Sequence, residues 1–102
     1  MSVPDRRLAL SRLASRDFRT IQHYSVRQWG TEQATVNDEA LARALTALQD
    51  HPNLGQDRSD LVPGLRSYPV GSYMIFYRVA GGTLLVHRNL HQRMNVTPEQ
   101  LA

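Results

Sequence analysis

Between Leu65 and His91 the chain reads as three short runs rich in Tyr, Val, Ile and Phe, cut by Gly71 and by Gly81-Gly82. Aromatic and β-branched residues suit a pleated, half-buried surface, and glycine-bearing breaks suit tight turns, so the stretch is predicted to form an antiparallel β-meander. Two consecutive glycines tolerate the positive φ of a two-residue turn. A turn at Gly81-Gly82 sets Val79 opposite Leu84, Tyr77 opposite Val86 and Ile75 opposite Arg88. One face then carries Tyr73, Ile75, Tyr77 and Val79 with Leu84, Val86 and Leu90, and the other Met74, Phe76 and Arg78 with Leu85, His87 and His91. Both faces are largely apolar. Helices that cover one leave the second open, covered by a partner, or curled over by the chain's own loops.

The first half supplies the helices. Arg7 to Ser11 reads as a short strand, with Ser11 placed as a helix N-cap. Ala14, Phe18, Ile21 and Ser25 then recur at helical spacing with Trp29 extending the row, which predicts an amphipathic helix over about residues 12 to 28. Gly30 ends it and Thr31 is placed to cap a second helix, whose apolar row is Ala34, Leu41, Ala44, Leu45 and Leu48. That helix stops before His51-Pro52, because proline disfavours helical geometry in the residue preceding it. Two helices with a short connection make a helical hairpin. A polar loop over residues 53–60, closed by Pro63-Gly64, leads into the meander.

At 102 residues with 41% hydrophobic content, the expectation is a single domain spanning residues 1–102 with a modest core. The absence of cysteine excludes disulfides and thiolate chemistry and fits a reducing compartment. No apolar run approaches the ~20 residues that span a bilayer, so no membrane association and a cytoplasmic location are expected. All twelve basic residues are arginines, against nine acidic residues, for a net charge of +3. Without lysine there is no amine nucleophile and no lysine base; what the chain offers is planar, permanently charged guanidinium groups suited to carboxylate or phosphate. Arg66, Arg78, Arg88 and Arg93 fall in and around the strands. No pair of His, Asp or Glu has metal-ligand spacing, so neither metal nor cofactor is expected.

Several segments in order resemble the ParE branch of the RelE/ParE toxin superfamily, also known as the plasmid stabilisation family. They are Tyr24 with Gln28-Trp29-Gly30, His51-Pro52-Asn53-Leu54-Gly55, Pro63-Gly64-Leu65-Arg66, Val70-Gly71-Ser72-Tyr73-Met74-Ile75-Phe76-Tyr77-Arg78-Val79, and Leu90-His91-Gln92-Arg93-Met94. The resemblance implies an α+β fold of order β-α-α-β-β-β, a small antiparallel sheet packed against a helical hairpin. Two positions depart from the family pattern: Asn37 stands where an aromatic usually packs the second helix, and Asn89 where the last strand usually carries an aliphatic residue.

In function, the resemblance implies the toxin of a type II toxin-antitoxin module, which poisons DNA gyrase and is neutralised in a hetero-oligomer by a ParD-type ribbon-helix-helix antitoxin. Arg66, Tyr68, Arg78, Arg88, His91 and Arg93 are then the expected antitoxin- or target-binding residues, with no catalytic residue. Direct nucleic-acid binding is not expected without partners. The alternative is the RelE branch, ribosome-dependent mRNA endoribonucleases, for which Arg66, Arg78, His91 and Arg93 are the candidate catalytic set. Against it, Met74 stands where that branch places a basic residue, and the tail from Asn95 to Leu101 offers no His or Tyr. Blander roles are open to the same residues. Tyr68, Tyr73 and Tyr77 read first as core anchors, His87 as a packing residue, and Arg66 and Arg78 as a solvated face paired with Asp57 or Asp60.

Overall fold

The computed structural model describes residues 6–93 and 96–101. Met94 of the last motif and Asn95 of the tail lie outside the described residues. The order is β1 (Arg7–Leu10), α1 (Arg12–Asp50), a 3-10 turn (Pro52–Leu54), β2 (Gln56–Asp57), β3 (Arg66–Val70), β4 (Tyr73–Ala80), β5 (Thr83–His91) and α2 (Pro98–Leu101). The strands form one sheet in the order β1-β5-β4-β3-β2. The expected antiparallel sheet is in fact mixed, because β1 pairs with β5 in parallel, Arg7 opposite Thr83 through Leu10 opposite Val86. The short β2, inside the stretch expected to be loop, adds a fifth strand on the other edge.

Ser11 performs the predicted cap and more. Its hydroxyl accepts from the Ala14 amide at 2.9 Å and donates to the His87 carbonyl at 2.7 Å, while its own amide donates to the Val86 carbonyl at 3.0 Å. One residue therefore ends β1, starts α1 and ties both to β5.

The expected hairpin of two separate helices needs correction. Between β1 and the 3-10 turn the helical structure is one long element from Arg12 to Asp50, with no connecting loop and only Gly30 outside helical geometry, at φ 85° and ψ 170°. That combination is open essentially to glycine alone. It bends the element sharply: a straight helix of 39 residues would be about 58 Å long, whereas the molecule's greatest extent is 38 Å. The two arms return alongside each other, and Gln22 Nε2 donates to Asp38 Oδ2 at 3.2 Å. Trp29 is corrected too. It extends the apolar row only on paper, being 59% exposed beside the bend and edge-on to Tyr24 at 5.8 Å.

The helical arms cover one face of the sheet. Ala14 and Leu48 are buried there with Ile75, Tyr77, Leu84 and Val86, flanked by Phe18, Leu41, Leu45, Tyr68 and Val70. The register near the turn is as predicted, Val79 opposite Leu84 and Tyr77 opposite Val86. Beyond it a β-bulge intervenes: Phe76 faces Arg88 and Ile75 faces Asn89, leaving His87 as the extra residue. A bulge shifts the alternation by one. Leu90 thus moves to the opposite face, with Leu65, Phe76 and Leu101, and Asn89 takes its place on the helix side. The chain itself covers the apolar part of the second face, since Leu61, Val62, Val96 and Leu101 from its own loop and C-terminal segment pack onto it.

Two polar fastenings hold these layers. Tyr77 is fully buried, and its hydroxyl accepts from the Gly55 amide at 2.9 Å and donates to the Pro52 carbonyl at 2.5 Å. No side chain fits at residue 55, because a Cβ there would overlap that hydroxyl. Arg88 donates through Nε and Nη2 to both oxygens of Asp17, at 2.7 and 2.9 Å, and through Nη1 to the Gln100 carbonyl at 2.9 Å. Asp17 also accepts from the Asn89 amide at 3.1 Å. The pair joins α1, β5 and α2.

Tyr77→Phe leaves the Gly55 amide and the Pro52 carbonyl without their partner, and an expected loss of about 1–3 kcal/mol is measurable by chemical denaturation. Burial raises the Tyr77 phenol above its ordinary value, so its neutral form is favoured in the fold. The corresponding stability is complete below the unfolded value of about 10 and is lost as pH rises through the raised folded value. The alkaline decline in stability should accordingly be shallower in Tyr77→Phe. Asp17→Ala strands a largely buried guanidinium and should cost about 3 kcal/mol in the same assay, with part recovered when Arg88→Met is added.

Candidate functional site

The six predicted contact residues do not share one surface. Arg66 opens β3 and shares the helix-side face with Tyr68 and Val70, which pack on the helix-side core. Its Nη1 donates to the Gly55 carbonyl at 2.8 Å, fastening the same turn that Tyr77 holds. Tyr68 is half-buried against that core. Arg78 follows Tyr77 on β4 and so points to the opposite face. There its Nε donates to His87 Nε2 at 3.0 Å. With Nε2 accepting, the imidazole proton sits on Nδ1, which donates to the Leu101 carbonyl at 3.1 Å.

Arg88 is committed to Asp17, which holds its guanidinium above the usual range. With side-chain exposure of 15% and 11%, this pair belongs to the interior of the fold. His91 ends β5 opposite Tyr73, edge-on to its ring at 5.4 Å, and its Nδ1 accepts from the Arg93 amide at 3.1 Å. Arg93 is exposed. The expected pairing of Arg66 or Arg78 with Asp57 or Asp60 is not formed. Asp60 is taken by Arg58 at 3.1 Å, and Asp57 accepts from the amide and hydroxyl of Ser59 at 2.8 and 2.7 Å. The Ser59 hydroxyl and amide hold Asp57 below the ordinary carboxylate range, and Arg58 does the same for Asp60.

A ribonuclease centre needs a base, a general acid and phosphate-binding cations around one phosphorus. Arg66 and Arg78 lie on opposite faces. His91 pairs with Tyr73, four positions along β4 from the Tyr77 that pairs with Arg66, or about 13 Å. The sheet does not bring Arg66, Arg78 and His91 together around one point. Among the described residues there is also no cluster of three or more His, Asp or Glu side chains able to hold a metal ion, and no helix is long and apolar enough to cross a membrane.

Two hollows were missed by the sequence reading. The larger, about 1090 Å³, opens between the arms of α1 and the far end of the sheet, with Phe18, Ile21, Leu41, Val70, Tyr73 and Leu90 among its lining. Burial raises the Tyr73 phenol there, with Tyr24 a lesser cause. Asn37 and Asn89 both line it. Asn89 is only 5% exposed, and its Oδ1 has no hydrogen-bond partner among the described residues. These two asparagines were the available signal, Asn37 exposed and Asn89 buried at the wall of the hollow. The smaller hollow, about 510 Å³, lies beside the turn at residues 52–54 and is lined by Arg6 and Arg66 together with Asp50, His51 and Val79. Arg6 gave no sequence signal, because its neighbours in space come from residues far along the chain.

Comparison with known proteins agrees with this fold. The family described as "ParE toxin of type II toxin-antitoxin system, parDE" matches residues 8–96. The chain is 40% identical over 86 residues to Toxin ParE1 of Caulobacter vibrioides, covering 84% of this chain and 88% of that one. It is 36% identical over 91 residues to Toxin ParE1 of Mycobacterium tuberculosis, covering 88% and 93% respectively. A solved chain described as "Chromosomal ParDE TA system from P. aeruginosa" superposes with a TM-score of 0.72 at 25% identity, over 85% of this chain and 96% of that chain. By sequence along most of its length and by fold, the chain belongs to the ParE toxin family of type II toxin-antitoxin systems.

Proposed function

We propose that this ParE-family chain is restrained by a ParD-type ribbon-helix-helix antitoxin and, when released, poisons DNA gyrase by binding rather than by bond cleavage. The observation that carries the reading is the family match over residues 8–96, together with a solved relative from a ParDE system that has the same fold. The dispersal of Arg66, Arg78 and His91 over two faces and both ends of the sheet supports a docking role over hydrolysis. Arg66, Tyr68, Arg78, His91 and Arg93 remain the proposed contact residues, whereas Arg88 serves the fold through Asp17. An acidic, initially disordered antitoxin arm would gain affinity from apolar contacts and register from the guanidinium groups.

Expression of the chain in a bacterium lacking the antitoxin should give filamentation and a DNA-damage response, with messenger RNA intact. Rapid translational arrest with cleaved message would overturn the gyrase reading. Arg66→Glu and Arg78→Glu test the two faces separately: each is expected to reduce antitoxin capture in a pull-down and to weaken toxicity, and a double variant unchanged in both assays would remove these residues from the contact surface.

A further inference from the structure

The smaller hollow brings together two cations that the fold has fixed through main-chain carbonyls rather than through ion pairs. Arg6 Nη1 donates to the Gln49 carbonyl at 3.0 Å near the end of α1, and Gln49 Nε2 returns a hydrogen bond to the Arg6 carbonyl at 2.8 Å. Arg66 Nη1 donates to the Gly55 carbonyl at 2.8 Å, and the Gly55 amide is itself held by Tyr77. Each guanidinium thus gives one donor group to a main-chain carbonyl, which orients the fork and leaves its formal charge intact. The ion pairs among the described residues are Arg58–Asp60 and Arg88–Asp17, so neither Arg6 nor Arg66 is in contact with a carboxylate there; the nearest opposing charge to Arg66 on the sheet is Asp57, its partner across β2 and β3, which is held by Ser59. Both line the hollow, and Asp50 lines it as well. Its permanently charged lining is the two arginines, with the Asp50 carboxylate beside them.

We propose that this hollow is a carboxylate seat that takes an aspartate or glutamate side chain of an acidic peptide segment in a protein partner. An arginine fork matches a carboxylate with two parallel hydrogen bonds, and a fork already oriented loses less freedom on binding. Two arginine forks suit a single carboxylate, while Asp50 in the lining and Asp57 opposite Arg66 oppose the closely spaced charges of a nucleic-acid backbone. The surroundings also suit a peptide. Val79 at the rim is 41% exposed, and Leu54 in the adjoining turn is 52% exposed, two apolar shoulders for residues flanking the acid. The lining contains no Phe, Tyr or Trp on which a base would stack. The seat rests on the antitoxin reading only for the identity of the partner and is independent of gyrase.

The test is a nitrogen-15 NMR titration of the full chain, following the arginine Nε–H signals. The probes are an acetylated, amidated leucine-glutamate-leucine tripeptide, its glutamine counterpart and a short single-stranded oligonucleotide. The acidic peptide should shift the Arg6 and Arg66 signals together with the amides of residues 53–55, and the glutamine peptide should bind about tenfold more weakly. Arg6→Gln, which keeps the backbone carbonyl that Gln49 uses, should weaken the acidic peptide by a similar factor. Arg66→Lys should weaken it despite the retained charge, because the fork is lost. Equal affinity for the two peptides, or an unaffected Arg6→Gln, would overturn the seat. Shifts of the same signals by the oligonucleotide at lower concentration would make it a phosphate site instead.

Discussion

The buried hydroxyl of Tyr77 is the junction on which most of the molecule depends. It sits in the middle of the sheet, against the layer formed by Ala14 and Leu48, yet its two hydrogen bonds go to Pro52 and Gly55 just beyond the end of the long helix. A phenol can bury its ring and still satisfy its polar tip, which makes it suitable for fastening a turn to a core. Gly55 must lack a side chain for the hydroxyl to reach its amide. With the turn held, the Gly55 carbonyl is available to orient Arg66. Core packing, turn geometry and the placement of a surface cation are thus successive consequences of one contact.

The bulge in β5 has comparable reach. By inserting His87 opposite the step from Phe76 to Tyr77, it exchanges the faces on which Asn89 and Leu90 lie. Leu90 completes a second apolar layer with Leu65, Phe76 and Leu101, so this small sheet is covered on both sides by its own chain. Asn89 is left on the helical side, where its side-chain oxygen finds no partner among the described residues and borders the hollow between the arms. His87 itself, freed from the ladder's alternation, links Arg78 to the C-terminal turn.

Much of this architecture was legible from local chemistry. The first strand, the Ser11 cap, the meander and the pairing beside Gly81-Gly82 all follow from features within a few residues of one another. What escaped was non-local. An extra residue in a strand leaves no mark on composition, so Ile75 was set against Arg88 when it meets Asn89. Arg88 looked available because Asp17 lies 71 residues away in sequence. Parallel pairing of β1 with β5 joins opposite ends of the chain, and the row that included Trp29 assumed that a helix ending at Gly30 would bury its last turn. At the candidate site, Arg66, Arg78, His91 and Arg93 stand out by residue type and strand position, neither of which says that neighbouring strands send Arg66 and Arg78 to opposite sides.

The reversal at Gly30 occupies a single residue, and so the tip of the long helical element has no slack. Each residue added to one arm would rotate everything beyond it by about 100° and carry the Leu41, Leu45 and Leu48 row off the sheet. Lengthening is tolerated only in whole helical turns matched on both arms. The reach of this tip into solvent is therefore quantised, and relatives with the same bend should differ in arm length by near-integral turns rather than by arbitrary insertions.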